Sequence, residues 1–310
     1  MLHTSIFGST LLTGTIPTTL TPSMTVGAPA YSALVPPIDG YFSAAGTNAL
    51  LVPKDLKVVA AYAADSNPFS TGVLGFGLAR TRLNSPSLLR TAYPFIMPMQ
   101  SPAASSNAGY PNLQTVLPRT PDPSLAVLLD NPIQLKCSEP LMIEMASAAA
   151  VNTDNGVAVL WFCDEITPIP SGAKLDAFWI HYIVTAPASL APGAWIPSSI
   201  QFDQNLPQGA YAVIGFSHFG PSALAARLSF PGSPFKPGTL AQNGNGVAAV
   251  GSGGAARTHR VFTEGDLGIL GTFQTFALPS VEIVVAVNTD SPVLHEGFLR
   301  VIRLGDCSCI

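Results

Sequence analysis

Charge is what this chain has least of. Asp, Glu, Lys and Arg make up 10% of its 310 residues, against roughly 25% in an average soluble domain. Surface helices carry lysine and glutamate on their wet faces, so a helix-rich enzyme does not fit this composition. Also absent is any uninterrupted apolar run of the ~18 or more residues that a membrane-spanning helix needs. Only 8% of residues are aromatic and proline recurs throughout, which argues against the long strands and aromatic girdles of a transmembrane barrel. No basic run occurs and the net charge is −4, so no arm suited to packaging nucleic acid is present. The opening Met1-Leu-His-Thr-Ser-Ile-Phe7 lacks the basic region and apolar stretch of a signal peptide. The expected site of synthesis and initial retention is therefore a cytoplasm.

Cysteine is sparse as well: Cys137, Cys163, Cys307 and Cys309. The first two sit in apolar, strand-like runs and read as small core residues. Cys307 and Cys309 read as part of a C-terminal tail, because no second pair at metal-binding spacing accompanies them. Catalytic patterns are missing too. Of the histidines His3, His181, His218, His259 and His295, no two stand at ligand spacing on one element. His181 reads as a strand residue and His218 as a turn residue beside Gly220-Pro221. Asp164-Glu165 is a carboxylate pair at a strand end, read as surface or as an interface salt-bridge partner rather than an acid–base pair. Arg257-Thr-His-Arg260 is the most basic spot and reads as a solvated loop end. The glycine-rich Asn243-Gly-Asn-Gly246 and Gly251-Ser-Gly-Gly254 lack the strand, helix and lysine of a phosphate loop, and no Gly-x-Ser-x-Gly elbow occurs. No catalytic, cofactor-binding or metal-ligating residue is assigned, and no enzymatic activity or cofactor is expected.

What the chain does contain is apolar residues, at 47%, and turn formers, with 29 prolines and 27 glycines. Short apolar runs punctuated by Pro, Gly, Asn and Asp predict many strands and few helices. The pentapeptide Ala-Val-Asn-Thr-Asp occurs at Ala150–Asp154 and again at Ala286–Asp290, 136 residues apart. That is a domain-sized period. Each copy follows an apolar run, Leu141–Ser147 or Val281–Val285, and precedes another, so it reads as the turn of a hairpin in each half. Its polar residues suit turn chemistry better than a Ca²⁺ site, which one carboxylate per turn hardly supports.

Two further pairs recur in the same order. Pro53-Lys-Asp-Leu-Lys-Val-Val59 resembles Pro207-Gln-Gly-Ala-Tyr-Ala-Val213, and Leu78-Ala-Arg80 resembles Ala225-Ala-Arg227. Between the halves lies Thr167-Pro-Ile-Pro-Ser-Gly-Ala173, where proline removes amide donors and interrupts any sheet. The expected class is all-β: two tandem antiparallel β-sandwiches with long loops and extended termini. The expected division is an extended N-terminal arm over 1–40 with one or two strands, a first sandwich over 41–166, a linker over 167–174, a second sandwich over 175–305 and a tail over 306–310. Long loops are expected at 98–125 and 237–257, with short helices at Pro86–Arg90 and Ser222–Arg227. Strands such as Val281–Val287 are apolar on both faces, so a covered outer face is expected.

A duplicated antiparallel sandwich joined near Thr167–Ala173, with long loops in both copies and very little charge, resembles in architecture the double jelly-roll major capsid proteins. These build the shells of icosahedral, often membrane-containing viruses, bacteriophages among them. The resemblance implies two upright jelly rolls per chain, a homotrimer with pseudo-hexameric outline, and location in the virion. It also implies shell neighbours, minor capsid or penton proteins as partners, termini directed toward a lipid membrane, and no sequence-specific nucleic-acid contact. A second reading of the residues is a tandem β-sandwich binding module, an adhesin or carbohydrate binder. It would use surface aromatics, for which Trp161, Trp179 and Trp195 are candidates, although the first two read as core. A third, an enzyme of the cupin type, would need clustered His and Glu ligands.

Overall fold

The computed structural model describes residues 1–8, 23–25, 28–30, 32–33, 41–44, 49–66, 76–83, 95–100, 125–127, 130–147, 155–187, 195–220, 223–241, 267–285 and 293–305. Both Ala-Val-Asn-Thr-Asp copies, the expected helix at Pro86–Arg90, most of the two long loops, His259 and the Cys307–Cys309 tail lie outside these residues.

Among the described residues, thirteen strands belong to the first part of the chain: β1 (Leu2–Gly8), β2 (Ser23–Thr25), β3 (Ala28–Ala30), β4 (Ser32–Ala33), β5 (Ser43–Ala44), β6 (Leu50–Leu51), β7 (Leu56–Ser66), β8 (Phe76–Leu83), β9 (Phe95–Gln100), β10 (Leu125–Val127), β11 (Ile133–Leu135), β12 (Pro140–Ser147) and β13 (Asn155–Cys163). After a 3₁₀ turn at Ala173–Asp176 the described residues form nine more: β14 (Phe178–Ala186), β15 (Ile196–Ser199), β16 (Gln201–Phe202), β17 (Ala210–Phe219), β18 (Ala223–Ser229), β19 (Gly238–Leu240), β20 (Gly271–Gln274), β21 (Ser280–Val285) and β22 (Val293–Gly305). The protein is almost entirely β, with no α-helix among the described residues, and the pairings given by register are antiparallel. No helix among those residues is long and apolar enough to cross a membrane.

The chain forms two compact units. Among the described residues, one comprises Ser5–Leu160 and the other comprises Met1–Thr4 with Trp161 onward. The first unit carries sheets ordered β1-β13-β7-β10 and β5-β6-β12-β8-β9; the second carries β16-β14-β22-β17-β20 and β15-β21-β18-β19. Eight strands of each unit can be taken in chain order, β1, β6–β10, β12 and β13 in one, β14, β15 and β17–β22 in the other. Numbered so, both units read 1-8-3-6 in one sheet and 2-7-4-5 in the other.

The internal sequence matches fall on equivalent strands of this scheme. Pro53–Val59 runs into β7 and Pro207–Val213 into β17, each the third of its set; Leu78–Arg80 lies in β8 and Ala225–Arg227 in β18, each the fourth. The strands flanking Ala-Val-Asn-Thr-Asp are the seventh and eighth in both units. They belong to different sheets, β12 and β13 in one unit and β21 and β22 in the other. The hairpin reading is therefore corrected: the connection crosses between sheets, which apolar runs on either side of a turn cannot distinguish from a hairpin.

Residues 2–8 supply one of the strands expected in the N-terminal arm, beside β13, with Leu2, Ile6 and Phe7 buried. Two other expectations change. The second long loop contains β19 near its start, buried throughout. Where a helix is expected at Ser222–Arg227, the described part, Ala223–Arg227, lies in strand β18, where Ala226 and Leu228 pair with Ile283 and Val281; alanine spacing alone suits a helix or a strand.

The core of the second unit shows the alternation its residues dictate. On β14, Ile180, Tyr182, Val184 and Ala186 are buried while Trp179 and Thr185 are exposed. Burying each large apolar side chain contributes about 1.5–3 kcal/mol. In β17 burial is unbroken from Ala210 to Phe216, and Trp161, fully buried, donates from its indole nitrogen to the Gly238 carbonyl at 3.0 Å. In β21, Val281, Ile283 and Val284 are all buried, as expected for a strand covered on both faces. Its one charge, Glu282, meets the Arg227 guanidinium at 2.6 Å and the Lys236 ammonium at 2.5 Å. Burial pushes the Glu282 carboxyl up, but its two cations outweigh that and hold it below its ordinary value.

Candidate functional site

The most unusual surface is the outward side of the three central strands β14, β22 and β17. Antiparallel register sets Trp179 opposite Arg300, His181 opposite Phe298 and Ile183 opposite Glu296. On the other flank of β22, Gly215 stands beside Arg300, Ser217 beside Phe298 and Phe219 beside Glu296. A solvated sheet face should carry mostly polar residues at these positions. Here Trp179 is 43% exposed, Phe298 39% and Leu294 53%.

The rings pack on one another across the surface. Phe298 contacts Trp179 edge-on at 6.4 Å, Phe219 edge-on at 5.4 Å and His181 at 5.4 Å between centroids. The Arg300 guanidinium lies 6.0 Å from the Trp179 ring centre. Gly215 provides the room, since a methyl there would approach the Arg300 Cβ to 2.8 Å. Beside the rings, His181 is held by two carboxylates, Asp203 at 2.9 Å from Nδ1 and Glu296 at 3.4 Å from Nε2. The face is thus aromatic and polarisable, with an acid-flanked imidazole beside the rings and an arginine stacked over the tryptophan. These are groups for holding another surface or a flat apolar ligand. His181 is the half-exposed strand residue its sequence context suggests.

The remaining histidines fall elsewhere. His218, expected in a turn, is instead buried within β17, where its Nε2 lies 3.1 Å from Nδ1 of the buried His295. β17 ends at Phe219, one residue beyond the histidine and just before Gly220. His3 is buried and accepts the Lys236 amide hydrogen. Asp164 accepts from the Glu165 amide at 2.8 Å and from the Met1 amino group at 2.7 Å. Glu165 is exposed beside it. Cys163 is buried as expected, but Cys137 is exposed. Its strand ends at Leu135, leaving Cys137 in a turn with its thiol 3.3 Å from the Pro53 carbonyl.

The tryptophans divide. Trp161 is core; Trp179, expected in the core, is on the surface because it occupies the outward phase of β14. Trp195 is half-buried with the Arg227 guanidinium 4.1 Å from its ring centre. No group of three or more His, Cys, Asp and Glu side chains able to hold a metal ion occurs among the described residues. Sequence reasoning missed Phe298, Phe219 and Leu294 as surface residues. The available signal was the phase of β22: Leu294, Glu296, Phe298 and Arg300 share one side, and two of them are charged.

No protein-family model and no curated protein sequence matches this chain.

Proposed function

We propose that each unit is a jelly roll and that the chain is a structural subunit of a viral icosahedral shell, assembling as a pseudo-hexameric homotrimer. The observation that carries this reading is the strand order 1-8-3-6 and 2-7-4-5, occurring twice in one weakly charged chain. Eight antiparallel strands in two sheets are the jelly-roll pattern, and viral coats are among its common uses. Closed assemblies repeat complementary contacts, and permanent interfaces are more apolar than ordinary surface. A sheet face led by Trp179, Phe298 and Leu294 is of that kind, and its charges, Arg300 over Trp179 and Asp203 and Glu296 on His181, already have partners within the chain. Shell neighbours, minor capsid proteins and an underlying membrane belong to the same proposal, as does a virion location.

Light scattering on the purified chain, with negative-stain microscopy of assemblies, tests it. A stable species of three chains is expected; a monodisperse monomer at high concentration would sink the proposal.

A second reading draws on the same face. Stacked aromatics beside Asp203 and Glu296 also suit a carbohydrate, and lectins share this architecture. Glycan binding that disappears in Trp179→Ala, without self-association, would favour it.

A further inference from the structure

Tyr182, His218 and His295 form one buried row across β14, β22 and β17, on the opposite side of the sheet from the aromatic face. Gly297 makes the row possible. It sits in register between Tyr182 and His218, and a methyl there would come within 2.2 Å of the tyrosine hydroxyl. Without one, the Tyr182 hydroxyl reaches across β22. It lies 3.0 Å from the Ser217 carbonyl oxygen and 2.8 Å from Nδ1 of His218. Nε2 of His218 lies 3.1 Å from Nδ1 of His295. Gly220 closes over that second ring, where a methyl would lie 2.2 Å from Nδ1.

Two placements of the hydrogens satisfy the row, with the Tyr182 hydroxyl donating either to the Ser217 carbonyl or to Nδ1 of His218, and both leave Nε2 of His295 without a partner. In the first, His218 donates through Nδ1 and accepts through Nε2, so His295 donates through Nδ1; in the second these roles reverse. Both rings are neutral in either placement. A second proton on His295 creates a buried cation with an unanswered donor. In the first placement, a second proton on His218 sets two donors against each other.

No charged side chain among the described residues stands ready to compensate. On the outward side of the same strands, Asp203 and Glu296 hold His181, Arg300 lies over Trp179, and Arg303 donates to the Gln208 carbonyl. On the unit's other sheet, Arg227 bonds Glu282, which also holds Lys236. Tyr182, the titratable group on the inward side of β14, is pushed up by burial and stays neutral.

We propose that the Tyr182–His218–His295 row is an acid-sensitive latch, joining β14, β22 and β17 while both imidazoles are neutral and releasing them when either is protonated. Burial, with a smaller contribution from His295, holds His218 well below its ordinary value. Burial lowers His295 to about 4. In the unfolded chain both rings bind a proton near pH 6.5. The latch therefore contributes fully above about pH 6.5 and is lost as pH falls toward 4.

Deuterium exchange at the imidazole C2 position, followed by mass spectrometry on the unmodified full chain, reports each histidine separately. Titration midpoints for His218 and His295 well below the ~6.5 of a free histidine are expected; ordinary midpoints for both overturn the latch. Urea unfolding from pH 4 to 8 reads its consequence. Acidification is expected to raise the unfolding constant by up to about tenfold per pH unit for each histidine, and His295→Gln to remove about one such factor. The same pH dependence in both proteins overturns it. Should His295→Gln fail to fold, the exchange midpoints of the unmodified chain still decide.

Discussion

Gly297 determines where Tyr182 can go, and through it what the middle of the second unit's larger sheet is made of. Gly297→Ala is expected to lower the unfolding free energy by about 2–3 kcal/mol, measured in urea, because its new methyl would overlap both the buried Tyr182 hydroxyl and the Ser217 carbonyl. Nothing in the sequence marks this glycine apart from its neighbours; its meaning depends on which residues lie beside it on β14 and β17. Arg227 is a second such case. In sequence it is one match of a weak repeat, whereas in the fold it is the buried partner of Glu282. Arg227→Ala is expected to cost about 3 kcal/mol or more, since it strips the main cation from a buried carboxylate. The Glu282 carboxyl is held below its ordinary value, so its ion pair stabilises above the unfolded carboxylate pKa. That contribution fades as pH falls through the lower folded value. Urea unfolding of Glu282→Gln beside the wild type, from pH 3 to 7, should show the gap between them narrowing toward the acid end.

At the scale of the element, β22 is the strand around which the second unit is built, with β14 on one side and β17 on the other. Its inward phase carries His295, Gly297, Leu299 and Val301; its outward phase carries Leu294, Glu296, Phe298 and Arg300. Leu299 is fully buried, and Leu299→Ala is expected to cost about 2–5 kcal/mol in the same unfolding assay. Phe298→Lys acts on the other side. It should leave unfolding within about 1 kcal/mol of wild type while abolishing self-association in sedimentation, because a hydrated cation replaces the centre of the aromatic cluster. Strand positions were largely legible: the apolar runs Leu141–Ser147 and Val281–Val285 fall on β12 and β21, and Pro53–Val59 and Pro207–Val213 run into β7 and β17. Their partners were not. A turn between two apolar runs reads the same whether the second strand returns beside the first or crosses to another sheet, so β12–β13 and β21–β22 looked like hairpins. The choice depends on long-range pairing, here β12 with β8 and β22 with β17.

For the whole molecule, two units share one strand order while their sequences keep only short stretches in common. Burial requirements preserve the order while exposed loops vary. The assembly reading carries a definite mass: light scattering should return about 97 kDa, three times the 32.2 kDa chain. If the latch acts within that assembly, its disruption below pH 6 should be delayed in His295→Gln, followed by light scattering during acid titration.

Composition and turn signals alone determined that this chain would be β-rich and poor in charge. Those properties follow from local propensities and from how much apolar surface the chain must bury. Only the tertiary structure decided which side of each strand faces the core, and that placed Trp179 outside and His218 inside. A strand's two phases are equivalent until its neighbours are known. The pairing of β14 with β22 and of β22 with β17 breaks that equivalence, putting aromatic rings on one side of the sheet and two neutral histidines on the other.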